Sequence, residues 1–347
     1  YTRYDGNHFG KVIWAANGLT SIKNWYDLDA LKNDFTIYLK QQTQLAGNWN
    51  LFYDLQFRRV NYTMDGFREN PTLYVNNLFN FFNPKAGINY NKNNWKAYLS
   101  YSIANKEPNR DDFEASIAQQ PKPERLHDIE LGVEKNTGRY SWSATLYHMN
   151  YKDQLVLTGK INDVGAYTRT NIPESYRAGI ELQGTKRIYP WLNVAANLAL
   201  SQNKVLNFTE YIDDYDNGGQ KITAFQKTDI AYSPSVVGSG SINFIPVKNG
   251  ALSLLNKYVS KQYLDNTSND SRVLNAFFTQ DLRASYSIKK KWLKELAVMA
   301  QVNNLWGTKY EPNGYTYSYF AGGITTTENF YFPMAGRNFM IGVNLRL

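Results

Sequence analysis

Few residues of this 347-residue chain are suited to chemistry, and they are scattered. Asp213, Asp214 and Asp216 crowd into YIDDYDNGG, an oxygen-rich stretch of the kind that suits Ca²⁺. The spacing lacks the third Asx and the distal Glu of an EF-hand loop, so a solvated acidic loop is expected rather than a metal site. His8, His127 and His148 stand far apart and there is no cysteine, which leaves no imidazole cluster and no thiolate chemistry. Ser-x-x-Lys at 201–204 and 287–290 has no companion motif, and Gly238-Ser239-Gly240 lacks the third glycine and following helix of a nucleotide loop. His148 shares its parity with Trp142, Ala144 and Leu146, whereas Ser175 on the next segment falls on the opposite one, so no nucleophile meets a base. Neither an enzyme nor a resident cofactor or metal is expected.

The elements that carry these residues read as strands. Phe339, Ile341, Val343 and Leu345 alternate with Met340, Gly342, Asn344 and Arg346, and the same period of two recurs at 95–103, 192–198, 282–288 and 296–303. Helical periodicity of matching strength is absent. Connections alternate in length: short ones near 47–48, 91–94, 136–138, 189–190, 248–250 and 289–294, long ones near 17–34, 63–79, 107–123, 157–165, 209–228, 265–272 and 311–330. Between them lie about fourteen strands, at 8–16, 35–46, 49–62, 80–90, 95–106, 124–136, 139–156, 166–187, 191–207, 229–246, 251–264, 273–288, 295–310 and 331–347. That is roughly 25 residues per strand with its connection, against about 8–12 in a soluble sandwich.

Long amphipathic strands with short turns at one end and long loops at the other are the pattern of an antiparallel transmembrane β-barrel in the bacterial outer membrane. No apolar run is long enough for a membrane helix. Aromatics make up 15% of the chain, too rich a payload for a disordered polymer. Trp49, Trp95, Trp142, Trp191 and Trp292 each lie near a short connection, as an interfacial girdle would. The net charge of +8 comes from dispersed lysines and arginines, which does not favour nucleic acid as a partner.

Five segments carry a family resemblance: NPKAGINY (83–90), KPERLHDIELGVE (122–134), YRAGIELQGT (176–185), VNNLWGTKYEPNGY (302–315) and FPMAGRNFMIGVNLRL (332–347). In this order and spacing the chain resembles the C-terminal barrel of a TonB-dependent outer-membrane receptor of the Bacteroidetes type. The resemblance implies a barrel of about 22 strands preceded by a plug domain and a TonB box. Residues 1–347 then read as one truncated barrel domain lacking both, and the start at Tyr1 rather than Met fits that reading. Closure of the fourteen strands on themselves, first strand against last, is the expected outcome, the alternative being that the rest of the barrel is not part of this chain. The terminal Leu347, where such strands commonly end in Phe, is expected to preserve insertion.

The resemblance further implies that cargo is captured by extracellular loops rich in aromatic and charged side chains. Tyr310, Tyr315, Tyr317, Tyr319 and Phe320, beside Gly322-Gly323, are the first candidates, with Asp213, Asp214 and Asp216 the second. Lys40, Arg58, Lys96, Arg283 and Arg346 fall on the polar parity and would line the lumen, either drawing anionic cargo or pairing with acids such as Asp54, Glu130 and Glu181. The implied function is uptake of a nutrient complex, with an iron-siderophore first and cobalamin, haem or oligosaccharide behind it. The implied partners are outer-membrane lipid, a small nutrient ligand and, only in the full-length protein, the TonB complex. A passive fourteen-stranded channel and an adhesive surface barrel are the alternatives.

Overall fold

The computed structural model describes every residue except 19–23, 69, 115–119, 162–166, 291–292 and 347, so Trp292 and Leu347 lie outside the described residues. The strands are β1 Thr2–Lys11, β2 Asn24–Gln44, β3 Trp49–Asp65, β4 Tyr74–Lys92, β5 Trp95–Lys106, β6 Glu124–Asn136, β7 Tyr140–Ile161, β8 Tyr167–Tyr189, β9 Leu192–Asp214 and β10 Gln220–Asp229. They continue as β11 Val236–Val247, β12 Gly250–Val259, β13 Gln262–Tyr263, β14 Val273–Leu274, β15 Phe277–Lys290, β16 Leu293–Asn303, β17 Asn313–Ala321, β18 Ile324–Phe332 and β19 Asn338–Arg346. A single short helix, α1 Arg110–Glu114, occurs among the described residues.

Fourteen strands form one antiparallel wall in which each pairs with the next: β1 to β9 in order, then β11, β12, β15, β16 and β19. Alternation fixes the register, because a slip of one residue would carry the whole apolar set to the polar face. Rows such as Ile37–Phe57–Phe82 and Leu99–Leu131–Leu146–Ile180–Leu200 run straight across the strands. These apolar side chains remain largely exposed, so at this level the wall has no conventional core. At the short-turn end, Trp49 meets Tyr90 at 4.9 Å, Trp95 meets Trp142 edge-on at 5.6 Å and Trp191 stacks on Tyr189 at 5.0 Å.

Two expectations need correction. Among the described residues β1 pairs only with β2 and β19 only with β16, so the first and last strands share no ladder and the sheet stays open. Curvature follows from local twist and register rather than from the number of strands present, and here fourteen strands describe an arc. The stretches read as loops at 209–228 and 311–330 also hold strands. β10 folds back on the upper part of β9, and β17 pairs with β18 through a two-residue turn. That turn is Gly322-Gly323, both with positive φ (62° and 80°), the geometry that matches strand twist and that glycine adopts without a steric penalty. The strand expected from 229 accordingly begins at Val236, after the return from β10.

Buried side chains collect at the long-connection end. Met64, Phe67, Val75 and Phe113 form one cluster, and Val156, Ile172, Val205 and Ile230 another. The second depends on a row of irregularity across the wall. Asp153 and Asn207 have positive φ (52° and 54°), and each lies one residue beyond the row Lys152–Glu174–Leu206. Asp and Asn tolerate this conformation better than other non-glycine residues. Across it the buried parity inverts: Ser175 gives way to Ile172, and Asn203 and Val205 to Ile212 and Asp214. Side chains that would alternate outward are turned into the loop end instead.

Candidate ligand platform at the long-loop end

The two candidate stretches, about a hundred residues apart in sequence, meet in space. The end of β9 runs parallel to β17, with Tyr319 opposite Asp213 and Phe320 opposite Asp214. The Tyr215 N–H donates to the Phe320 carbonyl at 2.9 Å. Asp216 accepts the Gly322 and Gly323 N–H groups on its two carboxylate oxygens, each at 2.8 Å, so the tight glycine turn is capped by a side chain from the other hairpin. The Tyr215 and Tyr317 hydroxyls are hydrogen-bonded at 3.0 Å, and the Lys221 ammonium stands over the Phe320 ring.

The acidic stretch is exposed over 215–219, as expected of it, and also serves as a junction between the two hairpins. Asp213 accepts the Gln220 side-chain amide at 2.8 Å, and Asp214 accepts the N–H groups of Asp216 and Asn217 at 3.1 Å. Each carboxylate is spent on protein donors, which explains three acids within four positions without a cation.

β17 reverses the usual amphipathic order. Thr316 and Ser318 are buried, while Tyr315, Tyr317 and Tyr319 stand half-exposed in a line on the other face. Tyr315 stacks on Phe330 at 4.7 Å, and Tyr319 lies 5.7 Å from Tyr317 and 6.0 Å, edge-on, from Tyr215. Tyr317 is pushed up to about 12 by its hydrogen bond with Tyr215 and by partial burial, so its hydroxyl keeps its proton at neutral pH. Tyr310 belongs elsewhere, stacked on Phe277 at 4.4 Å.

Beneath the hairpin lies a cavity of about 230 Å³ lined by hydroxyls of Thr267, Thr316 and Ser318 together with Glu210, Asp265 and Arg272. Arg272 is almost fully buried; its Nη1 donates to Asp265 at 2.7 Å and to Glu210. Burial pulls the guanidinium down, but the two carboxylates outweigh it and hold it above the ordinary value. Its Nε–H has no partner among the described residues. Sequence reasoning missed this group: a lone Arg among turn-forming residues carries no periodic signal, and its partners come from β9 and from its own loop.

The lumen-parity cations divide. Lys40 pairs with Asp54 at 3.1 Å, Lys96 with Glu134 at 3.7 Å, and Arg58 with Asp34 at 2.5 Å and Glu107 at 2.7 Å. Glu107 also takes Lys32 at 2.9 Å. Burial raises the Glu107 carboxyl, but its hydrogen bonds with Arg58 and Lys32 win and hold it below the ordinary carboxylate range. Arg283 and Arg346 make no ion pair among the described residues.

The TonB dependent receptor-like β-barrel model matches residues 1–305. Among solved structures the chain is similar to the siderophore receptor PiuA from Acinetobacter baumannii, at 16% identity and a TM-score of 0.70 over 94% of this chain and 44% of that one. It is also similar to the ferric-catecholate import receptor Fiu from E. coli K12, at 14% identity and a TM-score of 0.68 over 99% and 50%. The copper transporter OprC aligns at 15% identity and a TM-score of 0.69 over 90% and 48%. Identities this low speak for the fold alone, and the chain spans at most about half the length of these structures. No curated protein sequence matches it.

Proposed function

The chain belongs to the TonB dependent receptor-like β-barrel family of the bacterial outer membrane, and from that premise we propose that it forms the ligand-facing wall of an active importer whose cargo is a ferric siderophore. The observation that carries this reading is the tyrosine face of β17, held in place by Asp216. Iron chelates present anionic oxygens and, in catecholates, aromatic rings. A line of rings with protonated hydroxyls supplies stacking surface and donors together, each aromatic contact contributing about 0.5–1.5 kcal/mol beyond its buried area. The nearby Lys221 adds positive charge at the junction.

Haem fits this platform poorly, because His127 and His148 stand on the apolar face of the wall and His8 on β1. In this reading, coupling to TonB belongs to a plug domain of the whole protein, and the wall supplies capture and a passage.

The test is growth of a deletion strain on single iron sources, complemented with the wild-type gene or with Y315A/Y317A/Y319A. Loss of growth on one ferric siderophore, restored by the wild type and not by the triple variant at equal surface abundance, is expected. Undiminished growth of the deletion strain on every siderophore sinks the cargo assignment. Loss of cobalamin or oligosaccharide use in its place moves the cargo to that class.

A further inference from the structure

On the apolar face of the wall, the leucine rows end at a cluster of cations. Six residues above the row Leu99–Leu131–Leu146–Ile180, the same register brings Arg125 directly opposite Lys152. Both are exposed, and neither has an acidic partner among the described residues; Arg125 donates only to the Asn105 side chain, at 3.1 Å. Like charges directly opposite one another weaken a strand pair unless an anion lies between them. Lys227 approaches from β10, its ammonium 5.3 Å from the centre of the Tyr176 ring, and Tyr176 stacks on His148 at 6.0 Å. Glu174 is the acid in the Arg125–Lys152 row, and it forms no ion pair with Lys152. Lys204 is already engaged by Asp229 at 2.6 Å.

The height of this cluster identifies its environment. Trp142 marks the interface at the short-turn end, and Lys152 lies ten residues further along the same strand. Ten residues at about 3.3 Å each, tilted by about 40°, rise roughly 25 Å, the height of the apolar band of an outer-membrane barrel. Arg125 and Lys152 therefore stand where the acyl chains of the opposite leaflet give way to headgroups. We propose that Arg125, Lys152 and Lys227, with the Tyr176–His148 stack, form a binding site for the phosphate-bearing headgroup of an outer-membrane lipid whose chains lie on the leucine rows below. The two opposed cations share the phosphate, and the anion relieves their repulsion.

The intact protein, purified in detergent, is titrated with mixed micelles of phosphatidic acid or phosphatidylcholine of identical chains, and bound lipid is counted by native mass spectrometry. The wild type should retain phosphatidic acid preferentially. R125A/K152A should lose about 25-fold in that affinity, about fivefold for each basic side chain at an anionic lipid surface, with phosphatidylcholine unaffected. R125K/K152R should keep the preference, and heat-modifiable mobility on gels reports that each variant is folded. If the double variant does not fold, K152Q alone should show the fivefold loss. No preference in the wild type, or a preference that survives loss of both cations, overturns the site. Displacement of the lipid by millimolar inorganic phosphate also overturns it, because the apolar rows would then contribute nothing.

Discussion

The two ends of the wall solve the burial of amino acids in opposite ways. Near the short turns, apolar side chains such as Leu146 and Leu131 are left uncovered and polar ones face the other side, so the surroundings act as the core. At the long-connection end the chain makes its own interior, with Val205 and Phe113 fully buried and Arg272 held between two acids. The first arrangement needs only a repeating pattern. The second needs particular partners from distant segments, such as Glu210 and Asp265 for Arg272. The contrast teaches that in this architecture stability depends on the membrane at one end and on tertiary contacts at the other.

The strongest test of that contrast is Arg272→Ala. It leaves Glu210 and Asp265 buried without their cation, a loss of about 3–5 kcal/mol confined to the loop end. Protease should then cut the 260–276 connection while heat-modifiable mobility of the wall is retained; global loss of the folded form would show that the two ends are not independent. Next comes Leu146→Arg, which places a charge in lipid at a cost of about 2–4 kcal/mol, whereas Ser143→Arg on the opposite face should be nearly neutral. Equal effects of the two in a refolding titration into vesicles would contradict the assignment of faces. Asp216→Ala removes the cap from Gly322 and Gly323 and should loosen the β17–β18 hairpin by about 1 kcal/mol, read as faster amide exchange at 313–332 with the wall unchanged.

The smallest effect concerns pH. The Glu107 carboxyl is held below its ordinary value, so its contribution is complete above the ordinary carboxylate range and is lost as pH falls through the lowered value. Acid should therefore free the residue 107–114 region before the wall, and E107Q should abolish that pH dependence. An acid response unchanged in E107Q would assign it to another group.

The wall was legible in the sequence because period-two alternation and turn chemistry are local. Strands at 95–106 and 124–136 coincide with β5 and β6, and the fourteen wall strands match the expected number. The loop end was harder to read for identifiable reasons. Tyr315, Tyr317 and Tyr319 alternate with Thr316 and Ser318 as a strand should, yet the small hydroxyl residues are buried and the aromatics are not, so hydropathy runs against the pattern. Asp153 and Asn207 invert parity without a glycine to mark the place. The union of Asp216 with Gly322-Gly323 spans 106 and 107 residues, beyond the reach of any local rule.

The row of positive-φ residues at Asp153 and Asn207 has an evolutionary consequence. An insertion below it would exchange lipid-facing and lumen-facing residues along the rest of a strand, and selection would reject it. Above it, the alternation has already been reset, so segments can be added, exchanged or lengthened without rewriting the wall underneath. The row thus separates a frame whose alternation must be kept from a loop end whose length is free to vary.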